Sequence, residues 1–239
     1  MNKQKIQKLN INPSGILDVH SVFYTIQGEG PFAGRPAVFI RLSGCNLRCP
    51  LCDTDYTGQR RPMWPNELVE RVKATNRAAT LVVITGGEPF RQNMIPFVLR
   101  LLDSGYTVQI ETNGTLYHHN FPYDRVTVVC SPKTGKLAAG YYEHPEVITA
   151  FKYVTQAGKI DGDGLPTTVL EHSATPHVAR PPEGFEGEIF LQPADEIEEY
   201  GNGLIGTARS ANNMDACVQS CKQHGYTLGI QIHKLIGVE

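Results

Sequence analysis

Length, composition and charge exclude several classes of protein. The chain has 239 residues, 41% of them hydrophobic, which is enough to form a large core. Its net charge of -2 gives no overall field that would attract nucleic acid. The N-terminus is basic and polar with no apolar stretch behind it, and no segment has the length of a membrane span. The sequence therefore predicts a cytoplasmic enzyme with a small-molecule substrate and with neither nucleic acid nor a membrane as partner.

Strands and helices are predicted to alternate along most of the chain. In chain order, the predicted elements are a strand over Ala37–Leu42, a helix over Asn66–Asn76, a strand over Leu81–Thr85, a helix over Asn93–Ser104, strands over Thr107–Glu111, Val126–Cys130, Phe151–Val154 and Glu188–Gln192, a helix over Asn212–His224 and a strand over Leu228–Ile232. This order is typical of parallel βα units. Helices become sparse in the second half, whereas a complete eight-unit barrel takes about 250 residues. We therefore predict an α/β fold, an incomplete (partial) TIM-type barrel of mostly parallel strands.

Two stretches stand outside this alternation. Residues 161–187 are rich in glycine and proline and are interpreted as loops around a short strand near Val169. About the first 15 residues form an N-terminal extension to which we assign no role. No repeat or low-complexity segment divides the chain, so residues 1–239 are predicted to form a single domain.

A group of cysteines follows the first predicted strand. These are Cys45, Cys49 and Cys52. Loops after strands carry the chemistry of barrel enzymes, and three thiolates leave one iron of a four-iron cluster open for a small molecule. Zinc, with Asp53 or a distant histidine as fourth ligand, and a surface disulfide are the alternatives. The three later cysteines are scattered and are interpreted as packing residues.

The spacing C-x3-C-x2-C resembles that of radical S-adenosylmethionine (SAM) enzymes, in which the methionyl group of SAM occupies the fourth iron. A second motif, Thr85-Gly86-Gly87-Glu88-Pro89, directly follows a predicted strand. Paired glycines allow the backbone to approach a ligand closely. The resemblance implies that Gly86, Gly87 and Glu88 bind SAM; the alternative is a strand-to-helix turn with Pro89 near the helix start.

Further motifs narrow the resemblance to the 7-carboxy-7-deazaguanine synthase family. They are Thr25–Gly34 with its Gln27-Gly28-Glu29, Cys52-Asp53-Thr54, Glu111–Thr115, Ser131–Gly135, Phe151–Val154, Gln192-Pro193 and Gln231–Lys234. Together they extend over nearly the whole chain. The resemblance implies a radical SAM lyase that converts 6-carboxy-5,6,7,8-tetrahydropterin to 7-carboxy-7-deazaguanine with loss of ammonia, on the path to queuosine and other 7-deazapurines. It further implies a 4Fe-4S cluster, SAM used catalytically, Mg2+, an electron donor such as flavodoxin or ferredoxin, and a homodimer.

The same resemblance implies roles for individual residues. Substrate contacts are expected from Ile26, Gln27, Gly28, Glu29, Arg41, Thr85 and His233; Thr54 is expected to bind Mg2+; and SAM contacts are expected from Ser131, Pro132, Lys133, Gln192, Pro193, Ala194 and Asp195. Read without the resemblance, Glu29 is a solvated loop acid, Arg41 a structural ion-pair residue and Thr54 a turn cap. Many family members end at a proline whose carboxylate contacts substrate, whereas this chain ends at Glu239, so no such contact is predicted.

Two other functions fit parts of the pattern. A glycyl-radical activase is also small and carries the same cysteine spacing, but its role does not explain Gln27-Gly28-Glu29 together with Cys52-Asp53-Thr54. A non-catalytic iron-sulfur or zinc protein would not cleave SAM, and it leaves Gly86 and Gly87 without a purpose.

Overall fold

The computed structural model describes residues 3–52, 54–172, 177–194 and 208–238. The strands are β1 (Leu17–Ile26), β2 (Pro36–Leu42), β3 (Arg61–Met63), β4 (Leu81–Gly86), β5 (Thr107–Thr112), β6 (Thr127–Cys130), β7 (Ala150–Thr155), β8 (Glu188–Pro193) and β9 (Thr227–Leu228). The α-helices are α1 (Pro65–Thr75), α2 (Ile95–Asp103), α3 (Ala139–Glu143), α4 (Ala208–His224) and α5 (Ile232–Leu235). Within the described ranges, no helix is both long and apolar enough to cross a membrane.

All nine of these strands form one sheet, in the order β3-β1-β2-β4-β5-β6-β7-β8-β9. Neighbouring strands from β2 to β9 are parallel, whereas β1 is antiparallel to both β2 and β3. The sheet does not close on itself, because β3 and β9 lie at its two ends. The predicted partial barrel of mostly parallel strands is confirmed.

The packing of the core explains why the parallel strands could be predicted from the sequence. Leu81, Val82, Val83 and Ile84 are all 0% exposed, because β4 is covered on both faces. On one face, α1 and α2 bring Leu68, Val72, Phe97 and Leu101 into the main hydrophobic cluster. Continuous apolar runs of this kind are typical of central parallel strands.

Several elements differ from the prediction. The short elements β3 and α3 were not predicted, and neither was β1. The side chains of β1 alternate between buried and partly exposed over part of its length, as in a strand with one wet face. The predicted last strand is wrong beyond Leu228, because the chain turns and Ile232 begins α5. The strand near Val169 is also wrong: this stretch forms turns, and Leu170 and Glu171 have positive φ angles of 51° and 57°, which a strand does not tolerate.

Candidate active site

A cavity of about 550 Å³ lies at the carboxyl ends of the parallel strands. The predicted site residues that line it are Ile26, Gln27, Glu29, Arg41, Cys45, Cys49, Cys52, Thr54, Thr85, Gly86, Gly87, Ser131, Lys133, Gln192, Pro193, Ala194 and His233. Three predicted residues, Gly28, Glu88 and Pro132, do not line it. Asp195, for which a SAM contact was predicted, lies outside the described residues, as does the C-terminal Glu239, for which no contact was predicted.

The cysteine loop follows β2 and places its three thiols at the cavity wall. Cys45 and Cys49 are buried and Cys52 is half-buried. Burial raises the pKa of Cys45 to about 12 and that of Cys49 to about 11, so both are neutral thiols at pH 7 until a metal displaces their protons. All six cysteines are free thiols, which gives no support to the disulfide alternative.

The zinc alternative finds no preformed site in the described ranges of the chain. There, no three histidine, cysteine, aspartate or glutamate side chains are grouped to hold a metal ion. A four-iron cluster makes a different demand, because each thiolate binds its own iron and the sulfur atoms need not converge on one point. Asp53, the proposed fourth zinc ligand, lies outside the described residues.

The glycine pair joins the end of β4 to the cysteine loop. The amide of Gly87 donates to the Leu42 carbonyl (3.2 Å), and the amide of Glu88 donates to the Gly44 carbonyl (3.0 Å). A Cβ would lie 2.2 Å from the Leu42 carbonyl oxygen at Gly86 and 2.1 Å from the Gly44 oxygen at Gly87. Only glycine permits this backbone approach, which brings the motif and the thiols to one wall.

Glu88 points into the protein and is 0% exposed. Its carboxylate accepts hydrogen bonds from the Phe90 amide (3.0 Å), the Thr112 hydroxyl (2.8 Å) and the Asn113 amide (2.8 Å). Burial raises the pKa of Glu88 to about 7 despite these donors. The side chain therefore ties the end of β4 to the loop after β5, which continues to the cysteine loop through a hydrogen bond from Asn113 to Asn46 (3.0 Å).

An ionic network forms another part of the cavity wall. Lys152 on β7 donates to Glu29 and lies 3.6 Å from Glu111 on β5. Gln231 donates to Glu29 (2.6 Å), and Gln27 donates to Glu111 (3.1 Å). Burial alone raises the pKa of Glu29, but the charge of Lys152 and the hydrogen bonds from Lys152 and Gln231 outweigh it and lower the pKa to about 2. Glu29 is therefore ionised and is not a solvated loop acid.

Lys152, Glu111 and Gln231 received no role in the sequence prediction, although each lies in a motif of the resemblance. A signal was present in two of them. Glu111 and Lys152 are the charged residues of two predicted strands that are expected to be buried, where an unpaired charge is costly. Such residues are expected to meet each other at the sheet end, as these two do.

Helix α5 contributes His233 to the cavity wall, and it packs closely against Gly28. A Cβ at Gly28 would lie 1.9 Å from Nδ1 of His233, and the Gly28 carbonyl accepts a hydrogen bond from the Ile232 amide (3.2 Å). Gly28 therefore acts by admitting His233 to the cavity wall. Burial lowers the pKa of His233 from its ordinary value of 6.5, so its imidazole is neutral at pH 7.

Two predicted residues offer polar atoms toward a ligand. Gln192 at the end of β8 is 5% exposed, and its side-chain oxygen has no hydrogen-bond partner among the described residues. A buried acceptor left unpaired costs free energy, so a ligand donor at this position would remove that cost. Arg41 on β2 lies beside Thr85 of β4 in the parallel register and places its guanidinium 5.2 Å from the ring centre of Phe23.

Comparison with known proteins identifies the family. Residues 39–126 match the radical SAM superfamily. A 7-carboxy-7-deazaguanine synthase from Rhodospirillum rubrum is 41% identical over 224 residues, which cover 92% of both chains. The chain belongs to the 7-carboxy-7-deazaguanine synthase family. Another member, from Rickettsia prowazekii, is 36% identical over 93% of this chain and 89% of its own length.

The family assignment agrees with the fold. The crystal structure of QueE from Escherichia coli aligns with 90% of this chain and 94% of its own, with a TM-score of 0.64 at 22% identity. Family membership makes the protein a lyase of the radical SAM superfamily. That superfamily implies a 4Fe-4S cluster, SAM, a small-molecule substrate and a reductant.

Proposed function

We propose that this protein converts 6-carboxy-5,6,7,8-tetrahydropterin to 7-carboxy-7-deazaguanine with loss of ammonia. The observation that carries the proposal is that one cavity joins the three-thiol loop to the wall of Gln27, Glu29 and Lys152. A thiol loop alone fits any radical SAM enzyme. The polar wall supplies both hydrogen-bond acceptors and a cation, which suit an aminopyrimidinone ring with several donors and a carboxylate.

Cys45, Cys49 and Cys52 would hold the cluster, and the residues present fit it: three thiols share one cavity, and no fourth thiol lines it among the described residues. When bound, the cluster with SAM supplies a 5'-deoxyadenosyl radical that takes hydrogen from the substrate. The chain positions SAM and excludes water. Gln192 offers its unpaired oxygen to a donor of SAM, and Lys133, held by the Ser131 carbonyl at 2.7 Å, brings a positive charge to the same cavity.

On the substrate side, Glu29 and Arg41 have complementary tasks. Glu29 stays ionised and accepts hydrogen bonds from ring N–H groups, while Lys152 and Gln231 fix its orientation. Arg41 offers a guanidinium that can pair bidentately with the substrate carboxylate. His233, neutral and half-buried, supplies one donor and one acceptor to the pterin.

We further propose that Thr54 binds Mg2+ through its hydroxyl, because it lines the cavity directly after the cysteines and hard oxygen donors suit this ion. Thr54→Ala should keep the 4Fe-4S cluster and raise the Mg2+ concentration needed for half-maximal turnover by about tenfold or more. Thr54→Ser retains the hydroxyl and should behave as wild type. A Mg2+ titration of turnover checks both variants, and full activity of Thr54→Ala throughout would remove the assignment.

Electron supply and assembly complete the proposal. Flavodoxin or ferredoxin would deliver the electron to the cluster.

A homodimer would cover apolar side chains near the C-terminus, where Leu228 is 39% exposed and Ile236 is 54% exposed. Light scattering coupled to gel filtration measures the mass in solution.

Turnover tests the proposed reaction directly. Anaerobic reconstitution with iron and sulfide, then reduction with SAM and 6-carboxytetrahydropterin, should yield 7-carboxy-7-deazaguanine by mass spectrometry. Formation of 5'-deoxyadenosine without that product would contradict the substrate and favour the activase. A loaded cluster that yields neither compound would favour the non-catalytic iron-sulfur protein.

A further inference from the structure

The N-terminal extension lies against the cysteine loop with one side facing inward. Gln4, Gln7 and Asn10 are half-buried, whereas the residues between them are exposed. Ile6, for example, is 62% exposed. No residue before Phe23 lines the cavity among those described. Any effect of this segment on the site must therefore act through the residues it holds.

Gln4 bridges the residues that follow the last cysteine of the loop. Its side-chain amide donates to the Thr54 carbonyl (2.8 Å), and its side-chain oxygen accepts from the Tyr56 amide (2.8 Å). Tyr56 in turn is 1% exposed, and its carbonyl accepts from the Gly44 amide (2.9 Å) at the start of the loop. The Gln4 side chain therefore holds Tyr56, and Tyr56 joins the end of the cysteine loop to its start at Gly44.

Gln7 holds the other end of the same loop. Its backbone amide donates to the Cys45 carbonyl (2.8 Å). A Cβ at Gly44 would lie 2.5 Å from the Gln7 side-chain oxygen, so the two segments are in close contact. Gly44 also has a φ angle of 86°, which other residues rarely adopt.

A buried arginine anchors the extension to the body of the protein. Arg91, 2% exposed, donates to the Lys8 carbonyl (2.9 Å) and to the Ser43 carbonyl (2.7 Å), and its own carbonyl accepts from the Asn10 amide (2.8 Å). Asn93 donates to the Asn12 carbonyl (3.0 Å). The extension is therefore fixed at the segment after the glycine motif as well as at the cysteine loop.

We propose that residues 4–12 form an N-terminal strap that holds the cysteine loop in its binding conformation before iron arrives, with Gln4 and Gln7 as positioning residues. The strap would limit the loop motion that exposes bound iron to solvent. The effect of the strap on iron retention rests on the proposed cluster at Cys45, Cys49 and Cys52. Its effect on the order of the metal-free loop does not depend on that proposal.

Hydrogen exchange of the metal-free protein tests the strap independently of the cluster. In Gln4→Ala, exchange over residues 43–58 should accelerate by about five- to tenfold, because the loop loses the hydrogen bonds that join Gln4 to Thr54, Tyr56 and Thr57, while β4 and β5 stay unchanged. Gln4→Glu keeps an acceptor for the Tyr56 amide and loses the donor to Thr54. Its Tyr56 amide should therefore stay protected, as measured by NMR. Lys5→Ala, at an exposed neighbouring position, is the matched control.

A chelator assay extends the test to the loaded protein. The reconstituted Gln4→Ala protein should lose iron to a chelator several-fold faster than wild type and Lys5→Ala. Loop exchange equal to that of Lys5→Ala, or a uniform acceleration across the whole protein, would overturn the strap. If wild type bound no cluster, the proposed function would fail, and the exchange comparison would still decide whether the strap orders the loop.

Discussion

Replacing Lys152 with methionine should lower the free energy of unfolding by about 3–5 kcal/mol, because two carboxylates whose side chains are only 13% and 18% exposed lose their cation. Lys152 is 8% exposed and contacts both Glu29 and Glu111. Methionine keeps most of the side-chain length and removes the charge and the donors. Urea denaturation of the metal-free protein measures the change. In Lys159→Met, where the lost partner Glu171 is largely exposed, the loss should stay below about 1 kcal/mol.

The pH dependence separates lost charge pairing from lost packing. In wild type the pKa of Glu29 is lowered from 4.5 to about 2, so its contribution to stability is present above pH 4.5 and is lost as the pH falls through about 2. In Lys152→Met the burial remains without the cation, so the pKa of Glu29 rises, and the carboxyl destabilises the fold more as the pH increases. The loss should therefore be larger at pH 8 than at pH 5. Equal losses at both values would contradict this explanation.

A second substitution tests the same pair from the other side. Adding Glu29→Gln to Lys152→Met removes one of the two unpaired carboxylates and should restore part of the stability at pH 8. Turnover should be absent in the double variant, because the proposed acceptor for the pterin ring is gone. Restored stability without activity would show that the network holds the fold and, separately, serves the substrate.

The fold was predictable where the sequence pattern has a local cause. Central strands such as β4 carry a continuous apolar run, here Leu81 to Ile84, because both faces are buried, and no knowledge of their neighbours is needed to find them. By contrast, β1 carries polar residues such as Asp18 and His20, and it is a strand because β2 and β3 pair with it on either side. The end of the chain shows the same dependence on context. Leu228, Ile230 and Ile232 alternate as in a strand, but the Ile232 amide bonds to the Gly28 carbonyl and α5 begins there.

The candidate site was predictable where short motifs carry it, as with the cysteine loop and the glycine pair. Its ionic network was not, because Glu29, Lys152 and Glu111 come from three segments that are distant in the sequence and meet only in the folded protein. The extension before Ile16 was given no role for a related reason. Its glutamines have no motif of their own, and their function depends on backbone groups of another loop.

Replacing Cys45, Cys49 or Cys52 one at a time with alanine should abolish the 4Fe-4S absorption and EPR signals of the anaerobically reconstituted protein. Each thiolate is expected to bind a different iron, and nothing else at the cavity wall offers a thiol among the described residues. SAM cleavage should fall to background in all three variants. The metal-free proteins should remain folded, since the loop is also held through Tyr56 and Gly44.

Cys217→Ala is the matched control, because Cys217 is buried in α4 and does not line the cavity. Burial raises the pKa of its thiol to about 12, so it is an unreactive packing residue. The variant should keep the cluster, the EPR signal and SAM cleavage at wild-type levels. Loss of the cluster in Cys217→Ala, or its survival in Cys49→Ala, would move iron binding to other thiols and remove the cavity as the radical site. Loss confined to the three loop variants would make this cavity the place where SAM is cleaved.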